Sequence, residues 1–329
     1  MGQLRQSIVL TLLVIALAGG ILIIVNPALQ GLVIGLPPPP VESGSWELHF
    51  CPRENCMVFL DDALEQAGRV SCALYSLNLY NTTAILEEKR AIVFVDDSTM
   101  PASYKEAIPV KLQGLMHDKF CVLDTGVVTT GSLNPTFQNN YQDNNNLFII
   151  SSPYLSKNYQ AEIESLEGKE VSTPYPRVMH DGFLIENYFC PRDACESHIL
   201  DALGQAKSSV RFMTYTFTSN PIENELISLH KGGVAVEGVL EKFQSANKDT
   251  YTSLRYAGIG VLWDGNPKLM HHKVFIIDNS TVVFGSFNPT EAANTINREN
   301  VLIVHNPEIA AKFLDEYEYV KGQAEANIN

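Results

Sequence analysis

The sequence predicts an α/β protein made of two homologous halves related by a pseudo-twofold axis, preceded by an apolar N-terminal segment. Three observations predict it. A His-x-Lys-x4-Asp pattern occurs twice, as His117, Lys119 and Asp124 and as His271, Lys273 and Asp278, 154 residues apart. Each copy is followed by Gly-Ser-x-Asn, at 131–134 and 285–288, with the same spacing. Cys-Pro-Arg-x-x-Cys also occurs twice, at 51–56 and 190–195. Chance would supply about 0.015 matches of the first pattern in a chain of this composition. A duplication kept only for packing would explain the paired apolar positions, but not a His and a Lys retained in both copies.

The elements follow in chain order. Residues 8–25 carry no charge. As a helix they would extend about 27 Å, close to the ~30 Å core of a bilayer. Residues 1–36 therefore read as a membrane anchor, or alternatively as a cleaved signal segment with Ala16-Leu17-Ala18 as cleavage site. Arg5 before the span and Glu42 and Glu47 after it orient the remainder outside the cytosol by the positive-inside tendency. Four prolines at 37–40 make residues 37–45 a stiff linker. The first half spans 46–172 and the second 173–329. In each, apolar residues at helical spacing after the Cys-Pro-Arg segment give way to an alternating β-rich run. A variable middle follows, then the His-Lys hairpin, a strand and a closing helix. The second copy carries about fifteen extra residues in its middle, because the offset between copies grows from 139 to 154.

Composition narrows the function. The chain has 329 residues, 45% of them hydrophobic and 18% charged, which is globular and large enough for two cores. A formal net charge of −14 argues against a surface built to grip long duplex nucleic acid. Cys51 with Cys56 and Cys190 with Cys195 read as two small disulfide loops, because the topology favours oxidation. One zinc site formed by all four thiolates is the alternative. Cys72 and Cys121 lie in apolar strands and read as plain core residues.

The residue types fit phosphodiester cleavage on their own terms. Such a bond resists attack because its negative charge repels nucleophiles. Lys119 and Lys273 would offset that charge, most of all in the transition state. Asn134, Asn288, Ser132 and Ser286 can add hydrogen bonds to the phosphate. One imidazole can attack phosphorus, and the other can serve as general acid and then base. In a strand, His and Lys two apart share a face while an Asp five further points away. Asp124 and Asp278 are accordingly assigned structural roles.

With two such motifs in one chain, over roughly residues 46–322, the sequence resembles the phospholipase D superfamily. The resemblance implies a phospholipase D-like fold and one active site in the cleft between the halves, complete in a monomer. It implies a metal-free, cofactor-free, two-step route through a covalent phosphohistidine. Glu299 stands where this family places an acid that hydrogen-bonds a catalytic histidine of the other half, so it should reach His117. The matching position in the first half is Asn145, with Asp143 two residues away, so one of these should face His271. His117 is then expected as nucleophile and His271 as general acid and base. The expected substrate is a phospholipid. Alternatives are DNA or RNA, cleaved by an anchored endonuclease, and a non-catalytic phosphate- or lipid-binding module.

Overall fold

A computed structural model describes residues 15–17, 20–22, 38–102, 104–124 and 126–326. Most of the expected N-terminal anchor lies outside these residues. The six described residues within it do not form the expected helix. Ile15–Leu17 pairs with Gly20–Leu22 as antiparallel strands, with Leu17 opposite Gly20. Among the described residues no helix is long and apolar enough to cross a membrane. Residues from 39 onward form a separate compact unit that contains both halves of the duplication.

Each half is built on a mixed sheet, and the two sheets share one strand order. In the first half the order is Trp46–Cys51, Asn145–Ser151, Val127–Gly131, Lys119–Leu123, Val70–Leu74, Ile92–Asp96 and Ile108–Val110. In the second it is Phe183–Cys190, Glu299–His305, Thr281–Gly285, Lys273–Ile277, Ser209–Thr214, Ala235–Leu240 and Gly260–Trp263. The second sheet gains two short outer strands, Arg177–His180 and Val41–Glu42. Ten of the fifteen or so extra residues of the second copy form the helix Asn247–Tyr256, inserted ahead of Gly260–Trp263. Others lengthen the helix before it, since Asn220–Lys231 has 12 residues where Tyr80–Glu88 has 9.

Strand alternation assigns each sheet two buried faces. Phe120 and Val122 point toward the other half, where they join Val274, Ile276 and Phe284 in one continuous core. The rings of Phe148 and Phe284 meet edge to face across it at 5.4 Å. Cys121 and Leu123 point outward, beneath the helices Cys56–Gln66 and Tyr80–Glu88. Phe275 and Ile277 do the same in the second half. The outward slot is filled differently in the two halves. Phe212 and Phe275 face each other across paired strands, and Gly238 makes room, since a Cβ there would lie 2.3 Å from the Phe212 ring.

In the first half that slot holds a disulfide. Cys72 and Cys121 are direct partners in the antiparallel ladder, with Cα atoms 4.1 Å apart, and their sulfurs are bonded. This corrects the reading of both as plain core residues; apolar surroundings did not reveal that strand pairing sets them opposite one another. Cys51 is bonded to Cys56 and Cys190 to Cys195, so each pair closes its own loop and the four thiolates do not gather as one zinc site.

These loops also hold the halves together. Arg53 makes an ion pair with Glu316, on the closing helix Pro307–Ala326 of the second half. Arg192 pairs reciprocally with Glu162 at 2.8 Å, on the closing helix Pro153–Leu166 of the first. Both glutamates are fully buried. Glu316 also accepts from His272, between the two motif residues of the second half, at 3.0 Å. A buried carboxylate that loses its cation is left uncompensated.

The Cys72 to Cys121 bond closes a loop over a sequence separation of 49 residues. On chain-entropy grounds its replacement by a C72A/C121A pair is expected to cost about 4 kcal/mol, read from guanidinium unfolding of the oxidised protein. Alkylation of the unreduced, denatured protein should label none of the six cysteines. Labelling of Cys72 and Cys121 would show that this pair is reduced.

Candidate active site

The motif segments converge because each is stitched to the other half by its backbone. Met116 and Arg298 form a parallel bridge, as do Asn144 and Met270. His117 N–H donates to the Arg298 carbonyl, and His271 N–H to that of Asn144, both at 2.9 Å. Buried acids at the ends of parallel strands fix the entry to each segment. Asp96 accepts from Met116 N–H at 2.8 Å and Glu241 from Met270 N–H at 2.6 Å. One residue further along, each histidine therefore meets the strand of the opposite half.

The His117 Nδ1–H donates to Glu299 Oε2 at 2.8 Å. The His271 Nδ1–H donates to Asn145 Oδ1, also at 2.8 Å. Each bond leaves Nε2 with a free lone pair in the neutral ring. Of the two residues expected near His271, Asn145 makes the contact. Asp143 instead accepts from Asn139 Nδ2 at 2.8 Å and from Leu269 N–H at 3.2 Å. Glu299 is held in turn by Asn297 Nδ2 at 3.1 Å.

Ser132 and Ser286 depart from expectation. Ser132 Oγ donates to Asn145 Oδ1 at 2.9 Å, and Ser286 Oγ to Glu299 Oε2 at 2.6 Å. Each also accepts a backbone N–H, from Asn146 and Asn300 respectively. Both are fully buried. Their single protons are committed to the groups that orient the histidines, so they steady those groups rather than face a phosphate. Asn134 remains beside the site, its Nδ2 donating to Asn139 Oδ1 at 2.8 Å. The position of Asn139 is Ala293 in the second half, so Asn288 lacks that contact. Among the described residues the carboxamide oxygens of both Asn134 and Asn288 find no partner.

Lys119 and Lys273 each donate to the carbonyl of the histidine two residues back, at 2.6 Å. Two tyrosines complete the setting. The Tyr75 ring meets the edge of His117 at 4.9 Å and lies 5.1 Å from Lys119 Nζ. Tyr215 repeats this at 4.7 Å from His271 and 4.9 Å from Lys273 Nζ. A cation over a ring face gains from the ring quadrupole. Sequence reasoning passed over these tyrosines, although each directly follows the strand that pairs with a motif strand, at equivalent positions of the two halves. It also passed over Asp96 and Glu241, whose differing residue types hide their equivalence.

The site is nearly dry, with the two histidines and two lysines all under 8% exposed. Burial depresses Lys119 to about 8. Burial, then the charge of Lys119, holds Lys273 well below the usual lysine range. His117 is lowered by burial, with the nearby Glu299 charge acting against it. His271 is lowered much further, by burial and then by the Lys273 and Lys119 charges. The two aspartates lie away from this chemistry. Asp278 accepts from the backbone of Lys207, Ser208 and Ser209 at 2.7–2.9 Å, and Asp124 from Gly68 N–H at 3.0 Å. They tie each motif hairpin to the loop that precedes the neighbouring strand.

Fold and site together define a duplicated α/β protein with one composite site, to which each half contributes a His, a Lys and the orienter of the opposite histidine. A family model described as the phospholipase D-like domain of cardiolipin synthase matches residues 81–167 and 199–321. The chain belongs to this phospholipase D-like family. It is 33% identical over 138 residues to a mitochondrial cardiolipin hydrolase of Chlamydomonas reinhardtii, covering 39% of this chain and 62% of that protein. It is 31% identical over 152 residues to a phospholipase D of Rickettsia bellii, covering 44% of this chain and 76% of that one. The chain thus spans less than two thirds of the algal relative's length. A phosphatidylserine synthase structure from Haemophilus influenzae shares the fold, with a TM-score of 0.60 and 13% identity over 84% of this chain and 85% of that one.

The electrostatics give a test with a definite sign. An anion beside a protonated ring favours the charged form and raises its pKa. In the free protein His271 should be neutral at pH 6.5, and inorganic phosphate should move its titration upward. Proton NMR of the histidine C2 resonances, with H271A for assignment, reads this. No upward movement on saturation with phosphate would show that the anion does not sit between the lysines.

Proposed function

We propose that this protein is a phosphodiesterase of phospholipase D type, acting on phospholipid through a covalent phosphohistidine. The observation that carries the reading is the crossed pair of dyads, His117 with Glu299 and His271 with Asn145, beside two buried lysines. Glu299 fixes the His117 tautomer with Nε2 unprotonated and stabilises the imidazolium character that develops on attack. Asn145 orients His271 but offers no comparable charge. His117 Nε2 therefore attacks phosphorus in line. The bond to the leaving alcohol breaks, and its oxygen takes a proton from His271 Nε2. In the second step His271 removes a proton from water, the oxygen attacks phosphorus, and the phosphorus–nitrogen electron pair returns to His117. An alcohol in place of water gives transfer. Lys119 and Lys273 stabilise the charge on the non-bridging oxygens in both steps.

The low pKa of His271 in the free protein suits this scheme once the substrate's own charge is counted, because the phosphodiester offsets the lysines and restores the ring as an acid. Relatives named cardiolipin hydrolase and phospholipase D support a phospholipid substrate. The net charge of −14 weighs against duplex nucleic acid, and a single strand is the competing substrate. A purely binding module would have no use for a complete set of dyads and lysines. The three disulfides support a site of action in an oxidising compartment, outside the cytosol. Both dyads are contained in one chain, so a monomer suffices for one site.

Substrate class is tested by assaying the protein on phosphatidylcholine, cardiolipin and single-stranded DNA in parallel, with and without EDTA. Phospholipid turnover that survives chelation is expected. Turnover of DNA alone would overturn the lipid reading, and full loss in EDTA restored by magnesium would overturn the mechanism.

Histidine roles are tested with a p-nitrophenyl phosphodiester, whose leaving group needs little protonation. H271A should still release a burst of nitrophenol and accumulate a phosphoenzyme at His117, whereas H117A should give no burst. E299Q should lower kcat by about 10²–10⁴, as loss of the acid does in other histidine–acid pairs. The opposite burst pattern would exchange the two roles.

A further inference from the structure

The duplication supplies an internal control on surface chemistry. In the first half, Val58, Leu79, Tyr80, Phe137 and Tyr141 line an open groove of about 330 Å³. Four of them are strongly exposed: Tyr80 at 79%, Val58 at 57%, Phe137 at 56% and Tyr141 at 48%. The second half folds the same backbone here. Met57 N–H donates to Asn140 Oδ1 at 3.1 Å, and Glu196 N–H to Asn294 Oδ1 at 3.2 Å. Leu79 and Ser219 N–H donate to the carbonyls of Pro135 and Pro289, at 3.4 and 2.9 Å. Yet the equivalent side chains there are Ser197, Ser219, Asn220, Glu291 and Thr295. The architecture therefore does not require apolar residues at these positions. Exposed clusters of this kind mark contact surfaces.

Two further observations select the occupant. The groove adjoins the catalytic centre. Phe137 and Tyr141 lie on the short helix Phe137–Tyr141, whose Asn139 accepts from both Asn134 and Asn145. Whatever the groove holds is thus beside a substrate bound at the histidines. The groove also carries no positive charge. Among the described residues no lysine or arginine lines it, and Asp61 does. A nucleic-acid strand stacked on these rings would need cations along its backbone. Tyrosine and phenylalanine without cations suit the boundary between headgroups and acyl chains, where amphipathic rings settle.

We propose that this groove is an interfacial docking surface that inserts into an uncharged phospholipid bilayer and presents lipid to the adjoining site. The inference rests on the phospholipid reading above, and names a surface of the first half that engages the bilayer and has no counterpart in the second.

Two measurements on the full chain test it. First, a nitroxide is attached at N81C, beside Tyr80, and for comparison at N220C, the equivalent of Tyr80 in the second half. With phosphatidylcholine vesicles, collisions with oxygen relative to a water-soluble nickel complex should rise at least fivefold at 81 and not at 220. A label at 81 as aqueous as that at 220 would overturn the proposal, whatever the substrate proves to be. Second, V58S/Y80N/F137E/Y141T installs the side chains that the second half already carries. The ratio of turnover on phosphatidylcholine vesicles to turnover on soluble bis(p-nitrophenyl) phosphate should fall at least tenfold. An unchanged ratio would overturn the proposal. So would loss of single-stranded DNA turnover together with an aqueous label, which would assign the rings to base stacking. A protein that cleaves soluble diester but no phospholipid would defeat the substrate reading alone, leaving the label to decide the groove.

Discussion

The backbone exchange between the two halves is the constraint on which the site depends. His117 N–H is bonded to the Arg298 carbonyl and His271 N–H to that of Asn144. These two contacts bring a histidine from one sheet to the first residues of a strand in the other. Without them the dyads could not form, because each orienter sits 182 or 126 residues from its ring in sequence. A buried backbone donor left unpaired is costly, so the crossing is enforced by ordinary hydrogen-bond satisfaction. Catalytic geometry then follows from interface geometry, and the Arg53 to Glu316 and Arg192 to Glu162 ion pairs guard that interface from the far side of each loop.

Symmetry in the scaffold coexists with asymmetry where chemistry needs it. Strand order, tyrosines, lysines and hairpin aspartates repeat. The orienters do not, since one is a carboxylate and the other an amide. In the proposed mechanism one ring attacks and the other moves a proton, and the difference between Glu299 and Asn145 is what would distinguish them. The supporting serines keep the same geometry around both, so the asymmetry is electronic rather than positional.

Much of this was legible from the residues alone. The doubled motif gave the two halves, the histidines and the lysines, and the family resemblance it carries implied the crossed partnership of Glu299 with His117. What stayed hidden depended on pairing across space. Ser132 and Ser286 look like phosphate donors in a linear motif, and only the fold shows their protons committed to Asn145 and Glu299. Asn145 and Asp143 share a strand parity, and which one meets His271 depends on the bridge at Asn144. Tyr75 and Tyr215 read as strand ends until their rings are seen beside the lysines. The apolar stretch at 8–25 satisfies a length and hydropathy criterion for a helix, whereas its six described residues pair as strands.

The disulfide between Cys72 and Cys121 has a consequence beyond cohesion. Side chains along a strand alternate between faces, so a slip of one residue between Val70–Leu74 and Lys119–Leu123 would turn one sulfur away from the other. The same slip would turn Lys119, which shares a face with Cys121, to the opposite side of the sheet and out of the site. Oxidation can therefore complete only on the register that is also competent for catalysis. In the first half the bond works as a proofreading step, converting correct strand alignment into a covalent record. The second half, with Phe212 and Phe275 in the same slot, must rely on packing alone.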